Sequence, residues 1–305
     1  MKVLIVSRSK AGRFAAFVEE QVAELQRQGI TCVFFPVKRK GFGGYIRYLP
    51  ELNRLIRSSR PDLIHAHYGL CGLLANLQRK IPVVTTYHGS DINDPKVLRL
   101  SKIAIHLSRF NIFVSQKIVA LAKPGKNSAL VPCGVNLVDY PVIDKAEARN
   151  RMGLLSGGKY VLFSGAFDNP VKNAPLAKSA IHMMPGVELI ELKGFTRSQV
   201  AALMQAVDCL LMTSHSEGSP QVIKEALACG CPIVSVDVGD VKQIVGGIGG
   251  CFIADRTPQD IMEKVDAAFL YGRRTNGREV IQEKGLTNDR IVKRIIDIYQ
   301  MILSQ

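Results

Sequence analysis

The stretch Ser214-His215-Ser216-Glu217-Gly218-Ser219-Pro220-Gln221-Val222-Ile223-Lys224-Glu225-Ala226-Leu227-Ala228-Cys229-Gly230-Cys231-Pro232 sets two carboxylates around the start of a helix. The apolar run 209–212 ahead of it reads as a strand. Ser219 suits an N-cap, Pro220 a first helical turn and Gly230 a helix end. Glu217 then lies in the loop before the helix and Glu225 in its second turn. A helix N-terminus offers unpaired N–H groups and partial positive charge, which stabilise a phosphate. Gly218 lets a ligand approach the backbone closely. Helical side chains lean toward the N-terminus, so Glu225 reaches back to the same place. A carboxylate is a pure acceptor and suits the vicinal hydroxyls of a ribose or hexose. The chemistry implied is binding of a sugar phosphate. Either Glu alone reads better as a solvated surface acid; the whole strand–loop–helix string reverses that and points to a ligand.

Short β-branched runs alternate with amphipathic stretches along the chain. Strands are expected at 2–6, 31–36, 62–65, 82–86, 112–115, 160–164, 187–192, 209–212 and 232–236, with a first helix over 13–28 closed by Gly29. This alternation implies parallel sheets with helices on both faces. The polar stretch 142–158 divides the chain. The reading is therefore α/β, with two Rossmann-like doubly wound domains, residues 1–155 and 156–288, facing a central cleft. A last helix, 289–305, crosses back to the first domain. A ligand is expected at the strand C-termini in the cleft.

The 305 residues are 47% apolar, enough for two cores, and exclude a disordered or collagen-like chain. No run reaches the length of a membrane-spanning helix, and the first residues do not read as a signal peptide. Seven Cys without a CxxC pair suit reduced thiols, so the expected location is the cytoplasm. The net charge of +14 is one-sided: residues 1–155 hold 24 Lys and Arg against 10 Asp and Glu, and the remainder 16 against 16. A general solubility bias explains this, as does an anionic partner of the first half. Residues 45–59 read as one helix with apolar Tyr48, Leu49, Leu52, Leu55 and Ile56 on one arc and Arg47, Arg54 and Arg57 on another. With Lys38, Arg39 and Lys40 upstream, these are candidates for contact with an acceptor or with anionic lipid on the inner face of the plasma membrane.

At the Glu217–Pro232 string the sequence resembles the retaining, nucleotide-sugar-dependent glycosyltransferases of family 4, of GT-B fold. Their paired-Glu signature stands here as Glu217-Gly218, Glu225-Ala226, Gly230 and Pro232. Pro61–Tyr68, Thr86-Tyr87-His88-Gly89-Ser90-Asp91 and Val131–Asn136 resemble further family segments in the right order. The resemblance implies that Glu225 binds the donor ribose. It implies that Glu217 contacts hydroxyls of the transferred sugar, with the Gly218 and Ser219 backbone on sugar and phosphate. Lys172 would neutralise the leaving pyrophosphate, His88 would lie near the transferred sugar, and Gly12 would approach the donor phosphate. Gly194 and Phe195 would hold the base. No metal or cofactor is implied beyond the UDP- or GDP-linked donor itself.

The chain departs from the family pattern in three places. No Arg stands in Ser164-Gly165-Ala166-Phe167-Asp168, Lys172 is followed by Asn173 instead of Gly, and the first loop has Gly12 alone. Arg8 or Arg13 is the candidate for the missing charge. The implied activity is retaining transfer of a hexose-type sugar to a glycan or lipid-diphosphate-linked acceptor in surface polysaccharide synthesis. A nucleotide-sugar epimerase of the same fold, needing no acceptor, is the alternative. A nucleic-acid-binding protein that uses the basic half is the alternative from another class; against it, that half lacks a recognition motif or stacking platform, and no nucleic-acid partner is expected. His65 and His67 share a strand face, but no further cluster completes a zinc site; Cys229 and Cys231 read as buried.

Overall fold

A computed structural model of the chain describes residues 1–10, 12–38 and 42–305. The chain divides into two units, Met1–Gly134 with Asn288–Gln305, and Val135–Thr287. In unit 1 the order is β1 (Lys2–Arg8), α1 (Ala16–Arg27), β2 (Thr31–Val37), α2 (Phe42–Ile46), α3 (Leu49–Ser59), β3 (Leu63–His67), α4 (Gly69–Asn76), β4 (Val83–Tyr87), α5 (Pro95–Leu107), β5 (Phe110–Phe113), α6 (Gln116–Ala122) and β6 (Ser128–Leu130). The strands form one parallel sheet, ordered β2-β1-β3-β4-β5-β6. Val3–Val6 is buried throughout, as expected where helices cover both faces of a sheet.

Unit 2 runs α7 (Lys145–Met152), β7 (Lys159–Phe163), α8 (Ala174–His182), β8 (Val187–Glu191), α9 (Arg197–Ala206), β9 (Cys209–Met212), α10 (Gln221–Ala228), β10 (Ile233–Val236), α11 (Val241–Val245), β11 (Cys251–Ala254), α12 (Pro258–Tyr271) and α13 (Gly277–Glu283). Its sheet is parallel, ordered β11-β10-β9-β7-β8. The chain then returns to unit 1 as α14 (Asn288–Leu303), whose Ile291, Val292, Ile295 and Tyr299 pack with Val3, Ile5, Val18 and Leu25. All seven cysteines are free thiols.

Two expectations change. The unit boundary falls at Gly134/Val135 and not near residue 155. The polar stretch read as a divider contains α7, capped by Asp144 and held down by Arg149, which is 7% exposed. The Arg149 guanidinium donates to both carboxylate oxygens of Asp208, at 3.2 and 3.1 Å, and to the Ala206 carbonyl. Local composition gives no sign of that distant partner. With the true boundary the charge division sharpens: unit 1 carries 24 Lys and Arg against 9 Asp and Glu, and unit 2 carries 16 against 17. The helix expected over 45–59 is broken, because Pro50 opens α3 and cannot continue a helix from upstream.

Candidate functional site

In unit 2 the loops after β7, β9 and β10 meet at the carboxyl end of the sheet. Thr213, just past β9, donates its hydroxyl to the carbonyls of Lys172 and Asn173 at 3.0 and 2.9 Å. His215 N–H donates to the Val171 carbonyl at 2.8 Å. Asn169 caps the short turn Pro170–Lys172 through Val171 N–H. Asn173 has φ 55° and ψ 51°, the left-handed conformation for which Asn is the usual substitute for Gly. The departure from Gly at this position is thus conformationally matched. Lys172 lies across Gly165: a Cβ there would stand 3.0 Å from its Cγ. Its Nζ donates to Glu217 Oε1 at 2.7 Å, and the two side chains are 19% and 17% exposed. The structure therefore brings together the residues picked for pyrophosphate and sugar.

Glu225, on α10, faces a different partner. The Tyr140 phenol beside its carboxylate favours the ionised form, as do the charges of Arg197 and Lys224, but burial outweighs them and pushes the Glu225 pKa upward. The Tyr140 phenol is also pushed up, first by burial and then by the carboxylate. Arg278 fixes this arrangement, donating to the carbonyls of Tyr140 at 2.8 Å, Ala228 at 3.0 Å and Leu137 at 3.1 Å.

Ser219 does not cap α10 as expected. The N-cap position belongs to Pro220, which has no side-chain donor or acceptor. The Ser219 hydroxyl instead donates to Asp240 Oδ2 at 2.5 Å and accepts from Lys224 Nζ at 2.6 Å, with Lys224 wholly buried. This relay ties the Glu217 loop to the loop after β10. Gly239, at φ 56°, completes the tie, since a Cβ there would stand 2.5 Å from the Gly218 carbonyl oxygen. Gly194, at φ 83°, is open, and Phe195 is half-buried against the core. Both lie between β8 and α9, whose first turn is closed by a Thr196–Gln199 capping box.

Unit 1 carries the remaining candidates. Gly12, at φ 82°, sits in a turn closed by backbone bonds between Lys10 and Arg13 at 2.9 and 3.1 Å. Arg8, Lys10 and Arg13 line one cavity of about 620 Å³, together with Phe14, Tyr68 and Asp91. Asp91 accepts from the N–H groups of Gly69, His88 and Gly89, yet burial raises its pKa to about 6. His88 Nε2 lies 3.1 Å from His67 Nδ1, and His88 Nδ1 lies 3.8 Å from Cys133 Sγ. His67 stacks on His65 at 4.4 Å. Both nitrogens of His65 are taken, by the Tyr299 hydroxyl at 2.5 Å and the Thr86 hydroxyl at 2.7 Å. Burial lowers the pKa of both, that of His67 to about 3. Among the described residues no group of three His, Cys, Asp or Glu could hold a metal ion.

Arg47, Arg54 and Arg57 are exposed, whereas Leu52 and Ile56 are buried and Tyr48, Leu49 and Leu55 pack on the core. The outer face of α3 is therefore cationic without an apolar stripe. Lys38 is exposed; Arg39 and Lys40 lie outside the described residues. Sequence reasoning missed Tyr140, Arg278 and the Lys224–Ser219–Asp240 relay. Asp240 and Lys224 stand beside the signature residues, but no spacing rule connects Tyr140 or Arg278 to Glu225.

Known proteins resemble this chain over both units. Residues 2–139 match the model of Glycosyltransferase Family 4, and residues 158–269 that of Glycosyl transferases group 1. A Bacillus subtilis protein named as the teichuronic acid biosynthesis glycosyltransferase TuaC is 28% identical, over 68% of this chain and 61% of its own length. The D-inositol 3-phosphate glycosyltransferase of Mycolicibacterium gilvum is 24% identical, over 72% of this chain and 61% of its own. The N-acetyl-alpha-D-glucosaminyl L-malate synthase of Bacillus anthracis is 24% identical, over 79% and 75%. Sucrose-phosphate synthase from Thermosynechococcus elongatus matches with a TM-score of 0.82 at 18% identity, over 99% of both chains. HepE of Anabaena, solved in complex with UDP, matches with 0.79 at 17% identity, over 99% of this chain and 100% of its own. At these identities the likeness establishes the fold: two Rossmann-like domains of GT-B type.

Proposed function

We propose that the chain, whose two halves match the models of Glycosyltransferase Family 4 and Glycosyl transferases group 1, is a GT-B glycosyltransferase that transfers a hexose from a UDP- or GDP-linked donor, with retention, to an acidic glycan acceptor carried on a lipid. The observation that carries this reading is the Lys172–Glu217 pair, a cation and a carboxylate at the carboxyl end of a parallel sheet. Lys172 would leave Glu217 for the donor diphosphate and neutralise the charge that develops on the leaving group. Glu217 would then accept from hydroxyls of the sugar, while N–H groups at the start of α10 hold the phosphate. Glu225 would accept from the ribose hydroxyls. No carboxylate in the signature is assigned as a nucleophile, so the acceptor hydroxyl attacks from the face that the diphosphate leaves, and the departing phosphate oxygen takes its proton. The reading needs no metal ion.

The acceptor assignment draws on the Arg8–Lys10–Arg13 cavity, which suits a carboxylate or phosphate. Three relatives bear names with an acid in them: teichuronic acid, inositol 3-phosphate and malate. The excess charge of unit 1 supports a peripheral contact with the cytoplasmic face of an anionic membrane, and no helix among the described residues is long and apolar enough to cross one.

A thermal-shift screen against UDP, GDP and their common sugars tests the donor. The expected result is stabilisation by one nucleotide and its sugars with EDTA present. NMR of the first product tests the stereochemistry, and an inverted anomer overturns the retaining assignment. Donor turnover without acceptor would favour the epimerase.

A further inference from the structure

Between Pro95 and Val138 the chain carries seven Lys and Arg residues and no Asp or Glu. This segment forms α5, β5, α6 and β6, at one edge of the unit 1 sheet. The ends of α5 and α6 and the turn before β6 enclose a cavity of about 500 Å³ at the amino end of the strands. Exposed Lys102, His106, Lys123 and Lys126 form its rim, and buried Ser108 and Asn111 its floor. Its wall is preset: Lys123 N–H closes α6 on the Val119 carbonyl, Ser128 Oγ donates to the Gly125 carbonyl at 2.8 Å, and Asn111 N–H to the Asn127 carbonyl at 3.0 Å. Among the described residues, Lys102, Lys123 and Lys126 have no ion-pair partner. Beside Lys102 and Ala122 in sequence, Ile103 and Leu121 are 47% and 51% exposed.

Unpaired lysines with exposed aliphatic side chains suit a bilayer interface, where an anionic surface attracts the charge and the acyl boundary takes up the aliphatics. A single-stranded nucleic acid fits less well, because no Phe, Tyr or Trp lines the cavity as a platform for bases to stack on, and the exposed imidazole of His106 is its one ring. We propose that this face of unit 1 docks on an anionic phospholipid bilayer, with a headgroup phosphate in the cavity between Lys102, Lys123 and Lys126 and with Ile103 and Leu121 at the acyl boundary. The assignment rests on the peripheral-membrane part of the reading above and moves the contact away from α3, whose apolar residues are spent on the core. The face lies at the opposite end of the parallel strands from the Arg8–Lys10–Arg13 cavity. Docking therefore leaves that cavity uncovered, and the sugar end of a lipid-linked glycan, not its headgroup, reaches it.

Flotation of the full chain with vesicles tests the face. Wild type is expected to float with phosphatidylcholine vesicles holding about 30% phosphatidylglycerol and not with phosphatidylcholine alone, less so as salt rises. Lys102→Gln with Lys123→Gln and Lys126→Gln is expected to weaken binding about a hundredfold, each lysine near an anionic surface contributing about fivefold. Arg47→Gln with Arg54→Gln and Arg57→Gln is expected to keep wild-type flotation. Ile103→Ser with Leu121→Ser, charges intact, is expected to weaken it and carries the test if the lysine variant loses its melting transition. Loss in the arginine variant alone overturns the face and leaves the peripheral reading standing; wild type that floats with neither vesicle overturns both. An oligonucleotide that displaces the vesicles and binds through the same lysines overturns the lipid assignment. Nucleotide-induced stabilisation, read on the same variants, separates all of these from failure of the donor site.

Discussion

Lys172 Nζ and Glu217 Oε1 stand 2.7 Å apart on loops that leave different strands, and Thr213 holds those loops together. The pair joins the cation proposed for a leaving diphosphate to the carboxylate proposed for a sugar. Lys172→Ala is expected to lower turnover about 10²–10³-fold, the usual loss when a donor to developing negative charge is removed. Its melting temperature should fall by only a few degrees. Steady-state kinetics beside thermal denaturation make the check, and turnover equal to wild type would exclude Lys172 from leaving-group departure.

Glu225 yields a pH dependence. Burial holds its pKa above the ordinary value of 4.5, although the Tyr140 phenol pulls the other way. A carboxylate that accepts from ribose must be ionised, so nucleotide affinity should fall as pH drops, beginning at higher pH than for an ordinary Glu. Tyr140→Phe removes a contact that favours the ionised form and should move the fall to still higher pH. Glu225→Gln should weaken binding by roughly 1–3 kcal/mol at neutral pH and remove the dependence. Calorimetric titration of nucleotide across the acid range decides; an unchanged acid limb in the Gln variant refutes the assignment.

Gly239 is expected to be intolerant. Alanine there would be strained at φ 56° and would press its Cβ on the Gly218 carbonyl. Gly239→Ala should cost about 1–3 kcal/mol of stability and weaken nucleotide binding as well, because the displaced carbonyl belongs to the residue after Glu217. Denaturant unfolding and nucleotide titration measure the two effects. Wild-type values in both would mean that the loop contact is dispensable.

The buried histidines set an acid limit. His65 and His67 have pKa values below 6.5 in the fold, that of His67 about 3. A group with a depressed folded pKa contributes stability above its unfolded pKa and loses it as pH falls. Between pH 6.5 and about 3 the unfolded chain takes up a proton at His67 that the folded chain does not, so stability should fall by about 1.4 kcal/mol per pH unit from His67, and His65, shifted in the same direction, adds to the fall. His67→Gln should remove one histidine's share of that slope in denaturant titrations across the range. A slope equal to wild type would mean that His67 ionises within the fold.

The period of the apolar residues made the parallel sheets legible, because a strand buried on both faces, such as Val3–Val6, reads as an unbroken apolar run. Glu217 and Glu225 were legible because their spacing is tied to one loop and one helix. Lys172 was legible by resemblance, but its partner was not, since the contact spans separate loops. Tyr140 and Arg278 carry no local signal, and neither does the Arg149–Asp208 anchor. Ser219 looked like a cap because Ser before Pro commonly is one; its hydroxyl went to buried Lys224, whose ammonium needed a partner more than the helix end did.

The return of α14 to unit 1 has a bearing on biosynthesis. Unit 2 is one continuous segment, so all of it has been translated before the last residues of unit 1 exist. The cavity left beside Val3, Ile5 and Val18 can be filled only when Ile291, Ile295 and Tyr299 leave the ribosome. Unit 1 is therefore completed only after the whole of unit 2 has been made, and its interior stays half-built until α14 emerges.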